Sequence, residues 1–156
     1  MPRGGSSIAS PRTPDAGHAG ALGYSRRVEQ RVSYRVYYED TDSLGVVYYA
    51  NYFKFIERGR SEYLSGRGKS IAEWNSDGYL MVVHSLTAKF KRPAVLGDVV
   101  DVVTSLTLPS VYRGRFLQRV ERDGEVLFEA TVDIVCLNRE QSLVEFPREI
   151  AELTQG

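Results

Sequence analysis

Cysteine occurs once, at Cys136, in this chain of 156 residues, so no intramolecular disulfide can form and no thiolate zinc cluster can be assembled. A reducing cytoplasm is the expected compartment. No stretch approaches the roughly 20 consecutive apolar residues that span a bilayer, and the leading MPRGGSSIASPRTPDAGHAGALGY has no apolar core of the kind a signal peptide carries. Neither a transmembrane segment nor an export signal is expected, because Arg26-Arg27 runs into Val-Glu-Gln-Arg-Val and not into a twin-arginine leader. Net charge is missing too: 20 Lys and Arg balance 20 Asp and Glu, which leaves no nucleic-acid footprint. Histidine occurs only at His18 and His84, and there is no Gly-x-Ser-x-Gly elbow, so a Ser/His/Asp hydrolase has no support.

What is present divides the chain. Residues 1–28 are rich in Gly, Ser, Pro and Ala and hold too little apolar surface to offset their ordering entropy. They are read as a disordered tail, and residues 29–156 as one domain. Val32, Tyr34, Val36 and Tyr38 then alternate with Ser33, Arg35, Tyr37 and Glu39, the period-two pattern of a half-buried strand. From Tyr52 the period changes: Tyr52, Phe55, Ile56, Gly59 and Tyr63 recur at helical spacing, with Lys54, Arg58, Ser61 and Glu62 opposite. That predicts an amphipathic helix of about four turns ending near Gly66 or Gly68. Gly59 on the apolar stripe costs about 1 kcal/mol of helix propensity relative to Ala, so it predicts a close approach to whatever the helix packs on. A short helix is expected over Ile71–Ser76. Four further runs, 79–92, 99–108, 113–122 and 125–137, read as strands, the last two joined by the tight-hairpin signal Asp123-Gly124. Five strands and one long helix, with no second long crossover, predict an α+β domain with a largely antiparallel sheet.

Glu39, Asp40 and Asp42 crowd the junction between the first strand and the helix, followed by the apolar run Gly-Val-Val-Tyr-Tyr-Ala-Asn-Tyr. Asp and Gly commonly shape turns for steric and hydrogen-bonding reasons. Beside an apolar segment and a helix N-terminus, however, a carboxylate can attack or activate water while backbone N–H groups meet a developing oxyanion. Asp-x-Asp after a strand also fits a magnesium-dependent phosphatase using Asp40 and Asp42, but that class needs a parallel sheet and a downstream acidic pair. Ser65–Ser70, SGRGKS, has Tyr63 where a phosphate loop needs glycine, and reads as a helix end. Glu57 and Arg60 have the i, i+3 spacing of a surface ion pair. Lys89, Lys91, Arg92, Arg113 and Arg115 gather near strand ends, where cations discourage edge pairing. His84 reads as a structural strand residue and Cys136 as inert core.

The segment RVYYEDTDSLGVVYYANYFKFIERGRSEYL resembles the signature of the 4-hydroxybenzoyl-CoA thioesterase-like hot-dog family, most closely its YbgC-type branch, acyl-CoA thioesterases associated with the Tol-Pal system. The acids, Gly45, the Tyr48/Asn51/Tyr52 run and the Glu57/Arg60 pair carry the match, which extends over roughly residues 31–138. The resemblance implies a hot-dog fold, a long central helix wrapped by a five-stranded antiparallel sheet, in a homodimer or homotetramer with sites at the subunit interface. It implies hydrolysis of an acyl-CoA or acyl carrier protein thioester with no metal or redox cofactor. Asp42 falls on the family's catalytic aspartate, nucleophile or general base, and Tyr49 where a backbone N–H polarises the thioester carbonyl. Tyr49 is also a departure, since YbgC-type proteins often carry histidine there and the 4-hydroxybenzoyl-CoA enzyme tyrosine. Tyr48 and Tyr52 would help shape the acyl pocket, and Arg113 and Arg115 would grip coenzyme A phosphates, for which the planar guanidinium is suited. The alternative within this fold is a non-catalytic acyl-binding or scaffolding protein.

Overall fold

The computed structural model describes residues 28–155; apart from Val28, the expected tail lies outside them. In chain order the elements are β1 (Glu29–Arg35), α1 (Asn51–Ser65), α2 (Ile71–Ser76), β2 (Leu80–Phe90), β3 (Val99–Ser110), β4 (Arg113–Arg122), β5 (Glu125–Leu137), β6 (Leu143–Val144) and α3 (Arg148–Glu152). The strands pair in the order β1-β3-β4-β5-β2, every pairing antiparallel. An antiparallel sheet of consecutive hairpins removes the phosphatase alternative, which requires parallel strands joined by helices.

Register lays the core-facing side chains in rows across the sheet. One row runs Phe90, Phe128, Val120, Val102; the next Ala88, Ala130, Gln118, Thr104; the next Leu86, Val132, Phe116, Leu106. Tyr52, Phe55, Ile56, Gly59, Tyr63 and Leu64 of α1 are buried against this face. Full burial of a side chain such as Ile56 or Phe55 contributes about 1.5–3 kcal/mol. Gly59 makes the approach possible, because a Cβ there would stand 2.6 Å from Val102 Cγ1. The helix crosses β1, β3 and β4 and meets β2 only at Phe90, so Val83, Leu86 and Phe90 are 48%, 38% and 51% exposed on an edge strand.

Three expectations are corrected. The first strand does not reach Glu39: it ends at Arg35, and Tyr38–Asp40 form a 3-10 turn. The Asp40 carboxylate accepts the Tyr37 N–H at 2.8 Å and Gly97 N–H donates to Val36 O, so local bonds curl the chain where alternation alone would continue it. The sheet has six strands, not five, because β4 pairs with β5 only as far as Val135 and the two residues of β6 take over at Cys136 and Leu137. Helix α3, too short for a periodic signal, is also new; it is held by Ile150, which is fully buried. The short helix at 71–76 is as expected, with Ser70 and Glu73 forming a reciprocal capping box. Ser65–Gly68 terminates α1 and leads to that cap, so SGRGKS links two helices.

Candidate active site

The acid turn is a small ribbon fastened at its neck and along one side. Thr41 bridges Val47, and Asp42 N–H donates to Val46 O at 2.9 Å. Gly45, at φ +74°, closes the turn with its N–H on Asp42 O at 3.0 Å; an L side chain rarely adopts that conformation. The segment 93–98 lies alongside: Val47 N–H donates to Ala94 O at 2.9 Å and Leu96 N–H to Gly45 O at 3.1 Å. That flank is itself held by Asp98, which accepts from Val95 N–H at 2.9 Å and Arg122 Nη1 at 2.6 Å. Burial pushes the Asp98 carboxyl up, but those two donors outweigh it and hold the group below the usual carboxylate range.

The three acids do different things. Asp40 is buried and spends Oδ2 on the Tyr37 N–H, so it is a structural cap. Glu39 is exposed on the 3-10 turn. Asp42 is exposed, with Oδ1 held by the Leu44 N–H at 2.8 Å, an arrangement that orients the carboxylate and leaves Oδ2 for chemistry. It stands opposite Val46, three residues before Tyr49.

Helix α1 begins here without a side-chain cap: its N-cap is Ala50, which offers no acceptor. Asn51, Tyr52 and Phe53 N–H groups donate to Tyr48, Tyr49 and Ala50 carbonyls. Among the described residues the Tyr49 N–H has no acceptor, and it lies at the positive end of the helix dipole. An N-cap side chain would serve the N–H groups of Tyr52 and Phe53, so the Tyr49 N–H, one residue ahead of the cap, is open to an exogenous acceptor. A cleft of about 270 Å³ opens beside it, lined by Val47, Tyr49, Tyr52, Phe90, Lys91, Arg92 and Pro93. Phe90 meets Tyr49 edge-on at 6.1 Å and Phe128 at 5.0 Å, while Tyr52 stacks on Phe128 at 5.0 Å. Tyr52 OH accepts the Ala94 N–H at 2.9 Å, tying the cleft wall to the flanking segment. Tyr48 and Tyr49 are exposed and pack on each other at 4.9 Å.

Tyr49 and Tyr52 line the cleft, Tyr48 packs on Tyr49 and Asp42 stands in the adjoining turn outside the lining, whereas Arg113 and Arg115 lie elsewhere. Gly114 faces the core against Ile134 and Phe146, so its neighbours face outward, and Arg113 pairs with Ser110 and Val135 at the end of β4 remote from the cleft. Arg115 forks onto Asp133 at 2.6 and 2.9 Å. That guanidinium, opposed by burial, holds the Asp133 carboxyl below its usual range, and Arg113 adds a weaker pull. Lys91 and Arg92 of the same cation cluster do line the cleft. The expected Glu57–Arg60 ion pair is corrected: Glu57 accepts from Ser61 Oγ at 2.8 Å, and Arg60 reaches under the helix to Gln118 Oε1 at 2.9 Å. Burial lifts the Cys136 thiol to about 11, which makes it a poor nucleophile. The reading from sequence missed Phe90 and Pro93, whose only signals were a strand-end aromatic and a strand-ending proline.

The thioesterase-like superfamily model matches residues 36–153. Acyl-CoA thioester hydrolase YbgC of Escherichia coli O6:H1 is 38% identical over 105 residues, covering 67% of this chain and 78% of that protein. Acyl-CoA thioesterase YbgC of Haemophilus influenzae is 36% identical over 118 residues, covering 74% and 87% respectively. Among solved structures, a probable thioesterase from Bartonella henselae superposes with a TM-score of 0.73 at 31% identity, covering 77% of this chain and 100% of that one. A single antiparallel sheet across one long helix is thus joined to sequence likeness over most of the described residues, and the chain belongs to the thioesterase-like superfamily with the hot-dog fold.

Proposed function

We propose that this chain hydrolyses an acyl-CoA thioester to a free acid and a thiol, with Asp42 as the catalytic carboxylate and the Tyr49 N–H as donor to the thioester carbonyl. The carrying observation is the unclaimed N–H of Tyr49, a residue at the start of α1 that lines an aromatic cleft beside the Asp42 turn. When the carbonyl carbon is attacked, its oxygen gains negative charge, and a fixed N–H at the positive helix end stabilises that charge without reorganisation. Asp42 either adds to the carbon, giving a mixed anhydride that water cleaves, or takes a proton from the attacking water. In both routes the C–S bond breaks, the sulfur leaves with a proton, and the acyl group ends as a carboxylic acid. No metal or redox cofactor is needed for these steps.

Tyr48, Tyr52 and Phe90 are the proposed acyl contacts; Lys91 and Arg92, which line the cleft, are the proposed cations for carrier phosphates, joined by Arg113 and Arg115 of a second subunit, since within one chain these lie away from it. The carrier is coenzyme A or an acyl carrier protein. A homodimer or homotetramer is part of the reading, supported by β2, whose eleven residues form an uncovered apolar edge of the kind that recruits another strand. Among the described residues no helix is long and apolar enough to cross a membrane. A cytoplasmic enzyme linked to the Tol-Pal envelope system completes the proposal, supported by likeness to YbgC.

The test is thiol release from short, long and aromatic acyl-CoAs in the presence of EDTA, for the wild type and Asp42→Asn. Turnover in the wild type and a loss of at least about 1,000-fold in the variant, the scale of removing a principal catalytic group, is the expected result. A fully active Asp42→Asn enzyme would sink the assignment of Asp42; no turnover by the wild type on any substrate would instead favour an acyl-binding protein.

A further inference from the structure

We propose that Asn51 is a positioning residue for this reaction: its side chain locks the turn that carries Asp42 onto the start of α1 and so sets the placement of the Asp42 carboxylate relative to the Tyr49 N–H. The inference rests on the thioesterase reading above and names a residue through which that site is held in register.

Asn51 is the first residue of α1, and its side chain does not cap the helix. Instead Nδ2 reaches back to donate to Asp40 O at 2.9 Å. The same carbonyl accepts the Tyr48 N–H at 2.9 Å, so both lone pairs of one oxygen are used by residues flanking Tyr49. From the other side, Asp40 is anchored by its own carboxylate on the Tyr37 N–H at 2.8 Å. The Asp40 carbonyl, two residues before Asp42, is therefore the point at which the neck of the Thr41–Val47 excursion is tied directly to the start of α1.

The geometry explains why an asparagine stands there. The peptide between Asp40 and Thr41 is tied on its N–H side to Tyr38 O at 3.1 Å and on its carbonyl to the Tyr48 N–H, and with one donor on that carbonyl the peptide can still tilt and carry Asp42 with it. A second donor arriving from Asn51 removes that freedom. An Asn, Asp or Ser one position earlier would turn its side chain to the Tyr52 and Phe53 N–H groups as a helix cap; at the first helical position the amide instead reaches back to the Asp40 carbonyl. Binding of the acyl and carrier groups uses other residues, so loss of the clamp acts on the chemical step.

Asn51→Ala and Asn51→Asp test the idea together. Aspartate in the first helical turn favours the helix dipole, so a role in helix stability alone predicts that Asn51→Asp is tolerated. A clamp predicts failure of both, because a methyl cannot donate and a carboxylate faces the Asp40 carbonyl with no hydrogen. The expected outcome is a fall in kcat of about 10- to 100-fold in both variants, the scale of a misplacement of about 1 Å. KM should stay within about twofold, since uniform binding is untouched. Amide hydrogen exchange at Asp42 and Tyr48, followed on the same proteins, should accelerate while exchange in β3–β5 is unchanged. Wild-type kcat in Asn51→Ala would overturn the proposal, as would a fall confined to Asn51→Asp, which would be an effect of added charge. Unchanged exchange at the turn would overturn it as well. A wild type that hydrolyses no thioester would defeat the functional reading, and the exchange comparison would still decide whether the clamp exists.

Discussion

Replacing Gly59 by alanine sets helix propensity directly against packing, and the structure predicts which wins. A Cβ at this position would stand 2.6 Å from Val102 Cγ1, 2.9 Å from Thr104 Oγ1 and 3.2 Å from Gln118 Nε2. Val102 and Thr104 are β-branched, with restricted side-chain torsions, and both lie in β3 between β1 and β4. Neither can swing aside without moving the sheet or the helix. Gln118 Nε2 is committed as well, donating to Ile56 O at 2.7 Å and to Thr104 Oγ1 at 2.9 Å. Overpacking of this kind costs about 1–3 kcal/mol, and weakening a buried hydrogen bond adds about 1 kcal/mol. Alanine returns about 1 kcal/mol of helix propensity. The net is a loss of about 2 kcal/mol, which for a domain of this size lowers the melting temperature by about 8 °C. Urea denaturation should show a lower midpoint at unchanged slope, with a thermal melt as the second measurement. An alanine variant as stable as the wild type, or more so, would refute the claim that glycine is there for close approach.

Three further outcomes follow from other parts of the molecule. Tyr52→Phe keeps the ring stack on Phe128 but strands the buried Ala94 N–H, so it should cost about 1–2 kcal/mol; an unchanged melt would show that another acceptor replaces the phenol. Burial pushes Glu121 up, but hydrogen bonds from Arg119 and Arg31 outweigh it and hold the carboxyl below its usual range. A depressed folded value stabilises fully above the unfolded value of about 4.3 and is lost as pH falls through the folded one. Glu121→Gln should therefore be less stable than wild type at pH 7 and converge on it toward pH 3 in urea titrations, whereas a pH-independent gap would refute the ionic contribution. Arg113→Glu should raise KM for an acyl-CoA more than for the matching acyl-pantetheine thioester, and equal effects would remove Arg113 from the phosphate contacts.

Periodicity made most of the architecture legible. The apolar stripe from Tyr52 to Tyr63 and the alternation of the later strands are local consequences of where side chains point along a helix or strand, and Asp123-Gly124 marks its hairpin by backbone conformation alone. Where the reading went astray, a non-local or terminal bond decided. Alternation continues through Tyr38 and Glu39, yet the Asp40 carboxylate and the 93–98 segment draw the chain out of the sheet. The two residues of β6 carry no pattern of their own; they pair because β5 outruns β4.

The same division holds at the site. The order of acids, glycine and aromatic helix was enough to mark the acid turn and the helix start as a candidate site, because both are written in adjacent residues, and the family resemblance singled out Asp42 and Tyr49 within it. Only the tertiary structure assigned Asp40 to a cap and brought Phe90, Lys91 and Pro93 from a distant strand end to the cleft. It also turned Arg115 onto Asp133 and directed Arg60 beneath the helix. Side-chain type and spacing determine what a residue can do over a few positions of chain; which partner it meets across the sheet depends on register and on the depth to which Gly59 lets the helix sink.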